Sequence, residues 1–423
     1  MKKYTVVSVS EFWSRKKLKL KVEKVLNDAV NDGFEIIKKI KIISILLSGV
    51  LLGCISCFQN RNFDFVIENV KLFDGNNVFE HANVYVKDGL IAQIDTFKTK
   101  IDGKYNYLIS GHNKTIIPGL INAHTHPQSR RDLNDAARAG ILTVFDLLRI
   151  DEDSIPVFKV LGEKANYANY YTAGIGADMP NAVIKHYIQK TNPWAPLTKK
   201  GVELFIADRI KSKVDFIKIY QDSRLPEKFS DSIFDKLISE AHKEKLMAVV
   251  HSELLKDACY EFKHGADIIA HAWFDSLITN NELKKWEQRN FYIIPTLLVH
   301  VSIKKQLNPK SYTLTEEQMI NEIGRLYKAG ITIVAGSDSP ADNLNFTTDF
   351  YKELELYARA GMTTIDVLKS ATINPSKAFK IKDKGIIKEG LSADFVLING
   401  DLLNDMKKIY EIESVWKKGT RIK

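Results

Sequence analysis

The chain has 423 residues, 45% of them hydrophobic and 27% charged, with 22 Gly and 11 Pro. That composition excludes disorder and collagen-like repeats and suits one barrel-sized domain with a smaller partner. Only Cys54, Cys57 and Cys259 occur, which excludes a disulfide-stapled scaffold and a four-cysteine zinc module, and the formal charge of +9 is uneven: residues 1–53 hold 11 Lys/Arg against 5 Asp/Glu, so the remainder is nearly balanced. With no basic stripe and no interleaved aromatics in the main body, no nucleic-acid partner is expected.

Residues 1–37 read as a small strand–helix–strand (α+β) segment. Leu18, Val22, Val25, Leu26, Ala29 and Val30 form its helical stripe, and Gly33 forms its stop. Residues 38–57 follow: Lys38, Lys39 and Lys41 precede a short apolar run that ends Leu51-Leu52-Gly53-Cys54. The run is signal-sized and too short to span a membrane comfortably. It resembles a bacterial lipoprotein signal, which implies lipidation of Cys54 and a lipid-anchored location at the cell envelope, facing the periplasm or exterior. An unused signal would leave the protein cytoplasmic. A folded segment ahead of an export signal suggests that translation begins near Lys38 or that two reading frames are fused.

From Asn62 to about 117 the pattern is short strands and turns, with Asp74-Gly75-Asn76-Asn77 and Lys87-Asp88-Gly89 as turn signals. Eight apolar runs then alternate with helical spacers: Leu120–His124, Leu142–Phe145, Tyr170–Gly174, Val214–Tyr220, Met247–His251, Asp267–His271, Phe291–Thr296 and Thr332–Ala335. Parallel strands alternating with helices predict an α/β fold, a (β/α)8 TIM barrel over 118–382. A helix is predicted near Thr364–Ser370, then short strands at Ile386–Lys388, Phe395–Ile398 and Ser414–Lys418. Segments 62–117 and 383–423 are expected to pair into one small β-sandwich.

The ends of the predicted barrel strands carry the chemistry. His124-Thr125-His126 closes the first, and residues i and i+2 of an extended strand point the same way, so both imidazoles reach one ion. Lys218 interrupts the apolar Val214–Tyr220. A buried lysine is costly unless it is paired or modified. Loss of water lowers its pKa, and the neutral amine can add CO2 to give a carbamate suited to bridging two divalent ions. The alternative is a structural ion pair with Asp338 or another acid. His251 and His271 end the fifth and sixth strands. Asp338 follows the eighth, as a helix N-cap or as a ligand and proton acceptor. Tyr220 shares the face of Lys218. Tyr220, Arg130, Arg131 and His300 are candidate substrate contacts, set against ordinary packing or surface roles. Cys259 is expected to be a small apolar residue within a helix.

The segments PGLINAHTHP, FIKIY, AVVHS, IIAHAW, VAGSDSP, ATINPSKAF and GIIKEGLSADFVLING, in that order over roughly residues 62–423, resemble the amidohydrolase superfamily. The likeness is to its two-metal, carbamylated-lysine branch and within it the imidazolonepropionase and Xaa-Pro dipeptidase-like group. The resemblance implies one metal on His124, His126 and Asp338 and a second on His251 and His271, bridged by carbamylated Lys218 and a hydroxide. It also implies Asp338 as general acid–base. The ions would be zinc, with manganese, cobalt or iron able to fill the site. The expected activity is hydrolysis of a C–N bond in a small amide, dipeptidase-like or on a cyclic amide. Two rivals are a one-metal deaminase or imidazolone hydrolase on the same fold, and a lipid-anchored binding protein without turnover. The expected partner is a small-molecule substrate, with membrane contact only through the anchor and homo-oligomerisation left open.

Overall fold

The computed structural model describes residues 62–97, 101, 103–188, 192–307 and 309–423. The segment 1–37, the signal-like run at 38–57 and Cys54 lie outside the described residues. Among the described residues no helix is long and apolar enough to cross a membrane.

The chain opens with β1 (Asn62–Phe73), β2 (Val78–Lys87), β3 (Leu90–Asp95), β4 (Lys104–Ser110) and β5 (Lys114–Pro118). The turn after β1 forms as its sequence dictates: the Asp74 carboxylate accepts from the backbone N–H groups of Asn76 and Asn77, both at 2.7 Å. The chain ends with β14 (Phe395–Asn399), β15 (Ile412–Lys417) and β16 (Thr420–Arg421). These eight strands form one mixed sheet in the order β16-β15-β14-β5-β1-β2-β3, with β4 beside β1. The two flanks therefore do pair, through β5 and β14, but the ladders run through a single continuous sheet. Register shifts in the β1–β2 pairing around Val70 bend that sheet. It closes over its own core, including Phe65, Leu72, Val84, Phe395 and Trp416.

Residues 386–388 were expected to be a strand and are not one. Gly385 has φ +69°, and a Cβ there would lie 2.2 Å from the carbonyl oxygen of Thr372. The chain turns at this glycine, and the next residues are held singly, as where Ile387 N–H donates to Asp74 O at 2.9 Å. The helix Thr364–Ser370 is present as expected, and a further helix, Ile373–Ala378, follows it.

Between the flanks lie eight parallel strands, each near its expected place: β6 (Leu120–Thr125), β7 (Ile141–Asp146), β8 (Asn169–Thr172), β9 (Ile217–Tyr220), β10 (Ala248–His251), β11 (Ile268–Ala270), β12 (Tyr292–Ile294) and β13 (Thr332–Ile333). The ladders join β6-β7-β8 and β9-β10-β11-β12-β13. Parallel bridges Ala177↔Ile219 and Thr125↔Ser339 link the two sets at both seams. One apolar cluster takes residues from all eight strands or their immediate flanks, among them Ile121, Phe145, Phe216, Val249, Ile294 and Val334. Alternate residues such as Ile219 and Val250 pack instead with the surrounding helices. Helices lie between successive strands, as in Arg130–Arg138, Asp231–Lys243 and Glu316–Lys328. The fold is α/β, and the ends of β6, β9, β10 and β11 bring the chemistry-bearing residues to one rim.

Candidate metal centre

The first group forms where β6 meets the loop after β13. Asp338 N–H donates to His124 O, and His126 N–H donates to Ser339 O, both at 2.7 Å. The Nε2 atoms of His124 and His126 each lie 3.0 Å from Asp338 Oδ1, as the i, i+2 spacing predicted. Asn122, buried one layer below, ties the two segments together: its side chain donates to Ser337 Oγ at 2.7 Å and accepts from Ser337 N–H at 3.1 Å.

Gly336 lets the two segments approach so closely. A Cβ there would lie 2.7 Å from His124 Cβ and 2.5 Å from Ile294 Cγ2. Gly336→Ala is therefore expected to displace His124, weaken metal binding and cost about 1–3 kcal/mol through overpacking. Thermal unfolding and bound metal per chain check this.

The second group comes from β9, β10 and β11. Parallel pairing sets Tyr220 beside His251 and His251 beside Ala270, so the strand ends are level. His251 and His271 approach with ring centroids 4.6 Å apart, and His271 and His124 with centroids 4.7 Å apart. Strict alternation after Ala270, which points inward, would turn His271 away. It is held inward by a left-handed backbone, φ 78°. Asp338 (φ 60°) and Thr296 (φ 44°) share that uncommon conformation, so three non-glycine residues at this rim carry backbone strain. Thr296 has a visible role: its hydroxyl meets His271 Nδ1 at 2.8 Å, which leaves Nε2 free for a ligand.

Lys218 lines the cavity that both groups share and is 2% exposed. Among the described residues no carboxylate comes within ion-pair distance of its ammonium, so the structural ion pair with Asp338 does not form. Burial pushes Lys218 down to about 7, against the pull of Asp338, Glu261 and Glu253. Burial likewise holds His124 down at about 3 although Asp338 pulls it upward. His271 is held well below its ordinary value by burial and by His251 and His124. Burial would lower His126 too, but the carboxylates of Asp146 and Asp338 beside its ring outweigh it and raise it to about 9. Burial works the other way on Asp338 and is outweighed by His124, His126 and His271, so its carboxyl stays well below the usual range. His124 and His271 are thus neutral imidazoles beside a carboxylate and an amine of lowered pKa, the donor types that a divalent ion and a carbamate require, while His126, held protonated between Asp146 and Asp338, would give up its proton on binding an ion. The buried Nδ1 of His124 and Nε2 of His300 have no hydrogen-bond partner among the described residues.

These residues line one cavity of about 240 Å³, together with Tyr220, His300, Tyr187, Glu253 and Asp342. His300 lies in the helix Leu297–Gln306, its Nδ1 3.0 Å from the Tyr312 hydroxyl. Arg130 and Arg131 are not in the lining. They begin the helix Arg130–Arg138 and face solvent, with Arg131 paired to Asp135 four residues on at 3.3 Å. Two other arginines stand near the site: Arg224, paired with Glu253 of the cavity wall, and Arg149, which lines a neighbouring cavity of about 540 Å³ that shares His126, Leu148, Tyr187 and Ala341. Arg149 does not reach into the first cavity. It is committed to Asp146 at 2.9 Å. Cys259 is half-buried on the helix Leu255–His264, and burial pushes its thiol up to about 12.

Sequence reasoning passed over Asp146, Thr296, Asn122 and Glu253. Asp146 Oδ1 stands 3.5 Å from His126 Nδ1, a carboxylate behind a histidine. Its only signal is an acid at the end of an apolar strand.

An α/β fold with histidines, a lysine and an aspartate gathered at its strand ends defines a class of metal-dependent hydrolases. The amidohydrolase family matches residues 115–422, and the chain belongs to that family. It is similar to 5'-deoxyadenosine deaminase of Methanothermobacter thermautotrophicus, at 22% identity, covering 80% of this chain and 85% of the relative. It is also similar to 5-methylthioadenosine/S-adenosylhomocysteine deaminase of Dictyoglomus turgidum, at 20% identity over 79% and 84%. In fold it resembles a crystal structure of a Xaa-Pro dipeptidase with methionine in its active site. The TM-score is 0.73 at 18% identity, covering 84% of this chain and 99% of the other.

Proposed function

We propose that this amidohydrolase is a two-metal enzyme that hydrolyses an amide-type C–N bond in a small substrate, dipeptide-like or cyclic. The observation that carries the reading is Lys218, a buried lysine with no carboxylate in ion-pair distance among the described residues, which lines one cavity with His124, His126, Asp338, His251 and His271. We read the eight parallel strands as a closed (β/α)8 barrel over 118–382, which the bridges at both seams support. The sheet from 62–117 and 383–423 is its smaller partner domain.

His124, His126 and Asp338 would hold one ion and His251 and His271 the other, with Lys218 as a carbamate between them. Divalent ions, zinc among them, supply Lewis acidity and a water of lowered pKa. The chain's own residues do the rest. Asp338, kept ionised by its histidines, accepts a proton from the attacking water and passes it to the departing nitrogen. Thr296 and Asp146 fix the rings of His271 and His126. Tyr220 and His300 line the cavity and would contact the substrate.

A second reading is a one-metal deaminase, favoured by the similarity to the two deaminases. Bound metal per chain, measured on protein beginning just after Cys57 and purified with bicarbonate and no chelator, separates the two. About two ions with turnover of dipeptides or cyclic amides is the expected result. About one ion with release of ammonia from aminopurine nucleosides would favour the deaminase. No ion after addition of zinc or manganese would favour a binding protein. We also propose lipidation at Cys54 and an envelope location, supported by the basic-then-apolar run ending Leu-Leu-Gly-Cys. N-terminal mass spectrometry of the native protein tests both this and the presence of residues 1–37.

A further inference from the structure

We infer that Glu253 is a third protein ligand of the ion held by His251 and His271, so that this position does not rest on Lys218 alone. The inference builds on the two-metal reading. His251-Ser252-Glu253, at and just past the end of β10, has the same i, i+2 spacing as His124-Thr125-His126 at β6, and His251 and Glu253 line the same cavity. Glu253 Oε1 lies 4.0 Å from His251 Nε2. The ligand atoms of His251, Glu253 and His271 are all within 4.8 Å of one another, so one ion fits among them with modest side-chain movement. Glu253 also lines the cavity that holds the other donors.

Among the described residues the cation that touches the Glu253 carboxylate is Arg224, and it has a second partner. Arg224 grips Asp222 through Nε at 3.0 Å and Nη2 at 2.5 Å and lies over the Phe274 ring at 5.1 Å. If Glu253 turned to an ion, Arg224 would remain paired and packed. Two imidazoles and a carboxylate are a common donor set for a catalytic zinc.

The test compares the full chain with Glu253→Gln, which keeps the shape and the contact with Arg224. Zinc affinity is read against a chromophoric chelator, and the cobalt-substituted protein is read by its visible absorption. Circular dichroism and thermal unfolding confirm that the variant folds. The expected result is one ion unchanged, the other weakened by at least about tenfold, and an altered cobalt spectrum. Equal affinities and an identical spectrum would overturn the inference. So would a raised KM with metal binding unchanged, which would assign Glu253 to the substrate. If the wild-type chain binds a single ion, the two-metal reading fails. In that case, loss of affinity in Glu253→Gln keeps Glu253 as a ligand, and unchanged affinity removes it.

Discussion

Asp338→Asn is expected to lower kcat by roughly 10²–10⁴-fold while the fold persists. Asp338 receives hydrogen-bond distances of 3.0 Å from two imidazoles at once, and those imidazoles keep its carboxyl ionised despite burial. Asparagine preserves shape and one acceptor oxygen but cannot take up a proton. Its amide can also turn an N–H toward the histidine donors, so weaker metal binding should accompany the loss. Steady-state kinetics with metal analysis separates these effects. A variant that retains full metal content and loses only kcat would place the defect in proton transfer. Full activity would remove Asp338 from the chemistry.

Lys218→Ala is expected to lose metal and activity together, with kcat/KM falling by roughly 10³-fold or more, since the Lewis acid supplies several kcal/mol. The metal-free protein offers a second, independent readout. Lys218 in the fold titrates near 7, below its unfolded value of 10.5. Between those two values the unfolded chain holds a proton that the native chain does not, so stability rises with pH across that window. Below about pH 7 the cost of burying the charged amine is felt in full. Metal-free Lys218→Met removes that cost. It should unfold at a higher temperature than metal-free wild type at pH 6, and the difference should shrink by pH 10. Unfolding curves at the two pH values in chelator check this. A pH-independent difference would mean that Lys218 is held charged by partners.

The sequence made much of this site legible because its signals are local. His124-Thr125-His126 needs only the period of a strand, and Lys218 stands out because its neighbours are apolar. Glu253 was equally readable by the same spacing, but an acid two residues after a histidine is commonplace on surfaces and drew no notice. The orientation of His271 was not readable. It depends on a left-handed backbone at that residue, which histidine sequence context does not announce. Arg130 and Arg131 misled because adjacency along the chain is not adjacency in space: the helix that begins there carries them away, and Arg149, from the next strand end, stands nearer. The turn at Gly385 defeated a strand reading of Ile386–Lys388, because contact with Thr372 sets the local path.

Two pairings join residues far apart in the chain. Thr125 meets Ser339, and Pro118 pairs with Phe395 in the ladder between β5 and β14. A growing polypeptide therefore cannot bring Asp338 to His124 and His126, or pair β14 with β5, until those later segments have been synthesised. Such closure makes for slow folding, because the entropy of the long loops is spent before the contacts form. An ion that uses both His124 and Asp338, as we propose, can bind only after these two segments have met, so metal uptake would follow this long-range step of folding rather than guide it.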